Sequence, residues 1–166
     1  MIELLADQAA LDRIGAADID ALTEAATEAT FYDDGLTAEQ VAANRRIVAI
    51  SAETCLAAAA SPDQRFVAAF SRGNFAGFVV ATVHGSDDLE LDWLMVHPDF
   101  HGTRVGVLLM RAGIDWLGAD RPIWLNVIRN NRRAIAFYRK FGFEIDPEAR
   151  TGHLIPHVVM RRKGTA

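Results

Sequence analysis

Cysteine is all but missing from these 166 residues: Cys55 stands alone, which rules out an intrachain disulfide and any zinc site built on several thiolates. Set in the alanine-rich run Ser51 to Ala60, it reads as a small core residue rather than a nucleophile. Basic charge is in the minority, with 17 Lys and Arg against 22 Asp and Glu, for a net charge of -5. Non-specific nucleic-acid binding runs on cations that neutralise phosphates, so this balance argues against it. Long apolar runs are missing too: none approaches the ~18 uncharged residues of a membrane-spanning helix. The start, Met1-Ile2-Glu3, lacks the basic residues of a secretory signal. The expectation is a cytoplasmic protein with neither a membrane nor a nucleic-acid partner. The familiar glycine-rich signatures are absent as well, since there is no GxGxxG and no Gly-Lys-Ser/Thr. His97, His101, His153 and His157 lie scattered in loops and a terminal strand without metal-ligand spacing, so no metal is expected.

The remaining composition, 51% hydrophobic and 23% charged, is that of a globular protein. Its length suits one domain with a substantial core. Residues 1 to 62 read as helical, with Ile19, Leu22, Ala26 and Ala29 at helical spacing. Thr37-Ala38-Glu39-Gln40 has the form of a capping box that opens a helix running toward Ser61-Pro62. The linker Phe31 to Leu36 carries two aromatics and two carboxylates, and either packs the helices together or touches a ligand. From Arg65 the period becomes extended. Phe66 to Phe70 and Phe75 to Val83 flank the turn Ser71-Arg72-Gly73-Asn74, and a second turn at Gly85 to Asp88 leads into Leu89 to Val96. A fourth strand follows at Ile123 to Val127, a helix capped by Asn130 or Asn131 and ended at Gly142, a strand from Phe143, and a last one at Leu154 to Met160. The class is α/β, one mostly antiparallel sheet flanked by helices.

One stretch organises the chain. The apolar strand ending at Val96-His97-Pro98 turns through Gly102 into a helix with apolar positions Val105, Leu108, Leu109, Ala112 and Trp116. First-turn amides of a helix have no internal partner and lie at the positive end of its dipole, which makes this the place for a phosphate. Leu91 to Val107 resembles the acetyl-CoA motif of the GCN5-related N-acetyltransferases (GNAT): a strand ending in Val-x-Pro, then (Gln/Arg)-x-x-Gly-x-(Gly/Ala), then a helix. Gly102, Val105 and Gly106 fit; His101 stands where the family usually has Gln or Arg, and Arg104 where it usually has glycine. A second segment, Leu125-x-Val127 with Asn131, Ala134, Tyr138 and Gly142-Phe143, resembles the family's later motif.

The resemblance implies a single N-acetyltransferase domain over 1–166, helical to about 62 and with a cofactor-binding core at about 65–145. It also implies transfer of the acetyl group of acetyl-CoA to a primary amine by direct attack in a ternary complex, with no metal. Backbone groups of Leu94, Met95 and Val96 would pair with the pantetheine arm. The segment His101, Gly102, Thr103, Arg104, Val105, Gly106 and Val107 would hold the pyrophosphate, with His101 beside it. Asn131 is either a cofactor contact or a plain cap. Tyr138 is aligned with the acid that protonates the leaving thiolate, or is a core tyrosine. Glu90 and Asp92, two apart on a strand, are alternative bases or solvated strand residues. Arg104 either obstructs the pyrophosphate or opens the helix in the right-handed region and reaches a phosphate. The basic run Arg129, Arg132, Arg133, Arg139 and Lys140 is a solvated helix face, a nucleic-acid surface or a source of phosphate contacts. Members of the family often form homodimers through sheet edges. The rival reading is a non-catalytic acyl-CoA-binding module with an interaction role.

Overall fold

A computed structural model describes residues 1–165; Ala166 and the side chain of Ala29 lie outside the described residues. Seven strands form one sheet in the order β1-β2-β3-β4-β5-β7-β6, where β1 is Ile2–Ala6, β2 Gln64–Ser71, β3 Asn74–Gly85, β4 Asp88–Val96, β5 Ile123–Ile128, β6 Phe143–Asp146 and β7 His157–Arg162. All neighbours run antiparallel except β4 and β5, which are parallel. Six α-helices are assigned among the described residues: α1 Asp7–Leu11, α2 Ala16–Phe31, α3 Ala38–Ala49, α4 Ser51–Ala60, α5 Val105–Leu117 and α6 Arg132–Arg139. None is long and apolar enough to cross a membrane.

Each face of the sheet carries its own core. On one, Val79, Leu89 and Leu91 meet Leu109, Met110 and Ile114 of α5, together with Ile135 of α6. On the other, Phe66, Phe78 and Val80 meet Ile19 and Leu22 of α2 and Cys55 of α4. Cys55 is fully buried, and burial pushes its thiol well above the ordinary range, in keeping with an inert core residue.

The expected class holds, with two corrections and with a break in the long helix that its length already suggested. The first 62 residues are not all helical: Ile2–Ala6 is an edge strand on β2, its alternate residues Ile2, Leu4 and Ala6 packed on the α5-side core. Five residues are too few for periodicity to declare it. The helix from Thr37 breaks at Ile50, where α4 begins with the Asp20 carboxylate accepting from Ser51 Oγ (3.0 Å) and the Ala52 amide (3.2 Å). The last strand starts at His157, not Leu154, because Pro156 has no N–H to give a ladder and its carbonyl accepts from the Arg129 amide instead (2.9 Å). The capping box is made on both sides, Gln40 N to Thr37 Oγ1 at 3.1 Å and Thr37 N to Gln40 Oε1 at 2.9 Å. Arg72 and Gly73, at φ 52° and 82°, form the tight turn between β2 and β3.

Candidate active site

Two irregularities of β4 create the site. Along its pairing with β3, Trp93 faces Val80 and Leu91 faces Ala81, so Asp92 is an extra residue, a bulge. The bulge reverses the side-chain alternation. Leu89 and Leu91 point into the α5-side core, whereas Trp93 and Met95 pack on the α2-side core and Leu94 and Val96 on the other. On its opposite edge, β4 meets β5 at a single pair, Glu90 with Trp124, and the two parallel strands then part. Beyond that pair, the β4 edge at Leu94 to Val96 is not laddered to β5, and of its carbonyls that of Val96 meets His101 Nε2 instead (3.2 Å).

At the mouth of this split, the chain turns through a short 3-10 segment, Pro98–Phe100, into α5. Gly102 has φ 78°, a left-handed conformation that strains a side chain, although a Cβ there would meet nothing. Arg104 caps α5 at φ -80° and ψ -1°, the right-handed region, so this position needs no glycine, and its side chain is exposed. Thr103 Oγ1 accepts from the Val105 amide at 3.3 Å. The amides of Gly102, Arg104, Gly106 and Val107 donate to no group among the described residues. They form the cluster of orphan donors that an anion would satisfy. His101 lies across the mouth: its Nε2 is 3.2 Å from the Val96 carbonyl and its Nδ1 3.2 Å from Arg133 Nη1. Of the basic run, Arg133 is thus brought to the candidate phosphate position. Gly106 faces Phe137 and Val96 at ordinary contact distance, which sets α5, α6 and the end of β4 side by side.

Asn131 caps α6, its Oδ1 accepting from the Ala134 amide at 3.1 Å. That bond occupies its oxygen and leaves its amide nitrogen for other partners. Tyr138, on the next turns of α6, is half-buried beside Phe137 and Phe143, with ring centroids 5.7 and 6.3 Å away. Burial raises its hydroxyl pKa from 10.0 to about 12, and the phenol is protonated at neutral pH with either value.

Glu90 and Asp92 lie two apart on β4, Glu90 at the pair from which β5 departs, and the charge of Glu90 acts on Asp92. Glu90 is 7% exposed, and its Oε2 bonds His84 Nε2 at 2.7 Å. Burial raises its pKa, and the hydrogen bond and charge of His84 pull against that. Asp92 is open to solvent yet crowded by protein, the situation of a carboxylate on a cleft wall. Burial first, then the charge of Glu90, lift its pKa to about 6. Asn126, on β5, has a buried Oδ1 with no hydrogen-bond partner among the described residues.

His84 was not among the histidines singled out from sequence. The hairpin register carried the signal: Thr82 pairs with Glu90 and Val83 with Leu89, so the side chain at 84 leans toward 90 once the turn at Gly85 to Asp88 is counted. The linker 31–36 is strapped to α3, with Asn44 Nδ2 donating to the Phe31 carbonyl at 2.6 Å and the Arg45 guanidinium 5.5 Å from the Tyr32 ring centre. Beside it, α3 and residues 152–157 enclose an apolar cleft of about 360 Å³ lined in part by Ile47, Ile50, Leu154 and His153.

The model of the acetyltransferase (GNAT) family matches residues 19–143. The chain belongs to the GNAT family. Uncharacterized N-acetyltransferases of Mycobacterium tuberculosis and Mycobacterium bovis are 37% identical to it over 90 residues, a stretch covering 51% of this chain and 56% of each relative. The match therefore spans little more than half the length of these relatives. The PaiA N-acetyltransferase of Thermoplasma acidophilum, in complex with coenzyme A, is similar in structure at a TM-score of 0.70 and 21% identity, over 98% of this chain and 99% of that one. At that identity the likeness is one of fold. Nourseothricin acetyltransferase is 29% identical, with a TM-score of 0.52, over 61% of this chain and 65% of its own. As a GNAT protein the chain departs from the usual motif at His101 and Arg104, and the right-handed backbone at Arg104 explains why arginine is tolerated.

Proposed function

We propose that this GNAT protein is an acyl-CoA-dependent N-acetyltransferase, moving the acetyl group of acetyl-CoA to a primary amine by direct attack in a ternary complex. The observation that carries the proposal is the split between β4 and β5 ending at four unpartnered amides, a groove with an anion site at its mouth. The match to coenzyme A-bound PaiA N-acetyltransferase in fold supports the same cosubstrate. The unladdered edge of Leu94, Met95 and Val96 pairs with the pantetheine amides. The loop His101, Gly102, Thr103 and Arg104 with the first turn Val105, Gly106 and Val107 takes the pyrophosphate, helped by Arg133 and by the free amide nitrogen of Asn131.

Acetyl transfer to an ammonium releases one proton overall, so the site needs a base at the nitrogen and a donor at the sulfur. The carboxylate pair Glu90 and Asp92 lies on β4 beside the pair from which β5 departs. It serves as the base, and its titration belongs to the pair. Tyr138, protonated at neutral pH, donates to the departing thiolate. The acceptor is a small molecule or a peptide amine. Because acetyl-CoA is an intracellular metabolite, this reading puts the protein in the cytoplasm.

Calorimetric titration with acetyl-CoA, followed by a thiol-release assay with spermidine, kanamycin and a lysine peptide, tests the proposal. One-to-one binding and thiol release that depends on an amine are expected. Tyr138→Phe is expected to lower kcat about 10²-fold while leaving acetyl-CoA affinity unchanged. Binding without turnover for any primary amine would favour the non-catalytic acyl-CoA module instead.

A further inference from the structure

His84 is the best-placed basic group at the carboxylate pair. It lies on β3, its imidazole 2.7 Å from Glu90 and stacked on the Trp124 indole at 6.0 Å between centroids and 23° between planes. Trp124 in turn donates from Nε1 to Asp88 Oδ1 at 2.6 Å. Asp88 and Glu90 flank the start of β4, and Trp124 is the β5 residue paired with Glu90 at the point where the strands part. The imidazole is thus fixed by a bond on one edge and a stacked ring on its face, while 42% of its side-chain surface still meets water.

We propose that His84 is a positioning residue for the acetyl-transfer reaction: as a cation it orients Glu90 and keeps that buried carboxylate ionised and able to take the proton of the acceptor amine. The proposal rests on the acetyl-transfer reading above.

Glu90 is faced by His84 from β3, by Asp88 from its own strand, and by His153 from the segment before β7, and it shares its charge field with Asp92, whose carboxyl it acts on. Two of these four are carboxylates that oppose its ionisation, as does its burial. Only the two histidines favour it, and only His84 touches it. A buried carboxylate deprived of its cation shifts toward the neutral acid, which cannot serve as a base. The same bond works on the imidazole, whose pKa is raised above its ordinary value first by the hydrogen bond to Glu90 and then by the neighbouring carboxylates. Both partners are raised, and the consistent physical statement is that one proton is held between them, on His84, once the pair has left the acid range.

Two measurements test this. Long-range proton–nitrogen NMR of the histidine rings, in wild type and in Glu90→Gln, reads the charge of His84 without any acceptor. His84 is expected to titrate above the ordinary histidine range in wild type and to move down toward that range in the variant. A neutral His84 with a bare Nε2 at pH 7, or a titration unmoved by Glu90→Gln, overturns the proposal. The second measurement is the pH profile of kcat/KM for acetylation, with spermidine as the probe amine, in His84→Gln and His84→Ala. Loss of the cation should move the acidic limb to higher pH in both variants, with KM for acetyl-CoA unchanged. His84→Gln, which retains an amide donor, should recover part of kcat but not the limb. An unmoved limb with a lowered melting temperature means a merely structural histidine and overturns the proposal. Absence of turnover in wild type with every amine tried counts against the acetyl-transfer reading, and with it against the catalytic part of this one, while the NMR measurement still decides the ion pair.

Discussion

Asp92 is a carboxylate whose folded environment works against its ionised form. Its pKa is raised from 3.8 to about 6, so the folded chain binds this proton more tightly than the unfolded one. The corresponding stability is fully present below pH 3.8 and is lost as pH rises through 6, so at pH 7 the folded protein carries an ionised carboxylate in an unfavourable place. Asp92→Asn should therefore raise the melting temperature at pH 7 and not at pH 4. Water reaches the group, which keeps the gain to about 1 kcal/mol or less. If the carboxylate pair is the base, the same variant lowers kcat/KM and alters the limb near pH 6. Differential scanning calorimetry at the two pH values, beside the pH profile, checks both halves.

At the scale of elements, the close approach of β3 to the end of β4 decides whether the groove forms. A Cβ on Gly77 would come within 2.6 Å of the Met95 carbonyl oxygen and 3.0 Å of Leu109 Cδ1, the first of these a backbone atom that a side-chain rotation cannot clear. Gly77→Ala should cost about 1–3 kcal/mol in denaturant unfolding. By displacing the strand at Met95 it should also weaken acetyl-CoA binding more than it alters kcat, which calorimetry and steady-state kinetics separate. Gly106 is the contrasting case: its added Cβ would make only ordinary contacts with Phe137 and Val96.

For the molecule as a whole, the sheet is laddered continuously on either side of one weak seam, the single β4–β5 pair. A ligand that fills the seam supplies partners to edges that otherwise face the groove. At 100 times Kd, one-site binding to the folded state adds about 2.7 kcal/mol, so acetyl-CoA should raise the melting temperature by several degrees. Amide exchange should slow most at Leu94 to Val96 and at Gly102 to Val107. Uniform protection, or protection confined to the apolar cleft between α3 and residues 152–157, would place the ligand elsewhere.

Much was legible in the chain itself because the signals were local. The strand-to-helix turn at Val96 to Gly106, the capping box at Thr37 and the hairpin at Arg72-Gly73 all depend on residues within a few positions of one another, whereas α6 ends at Arg139, three residues before the left-handed Gly142 expected to end it. They determined the class, the order of most elements and the family resemblance. What only the tertiary structure decided depends on pairing between distant segments. The bulge that extrudes Asp92 arises from β4 matching its register to β3, and the groove from β5 leaving β4 after Trp124. His84 becomes relevant because a hairpin returns the chain to Glu90, and Arg133 because α6 lands beside His101. Sequence spacing fixes which face a side chain takes along one element, but the partner it meets is chosen by packing free energy summed over the whole fold.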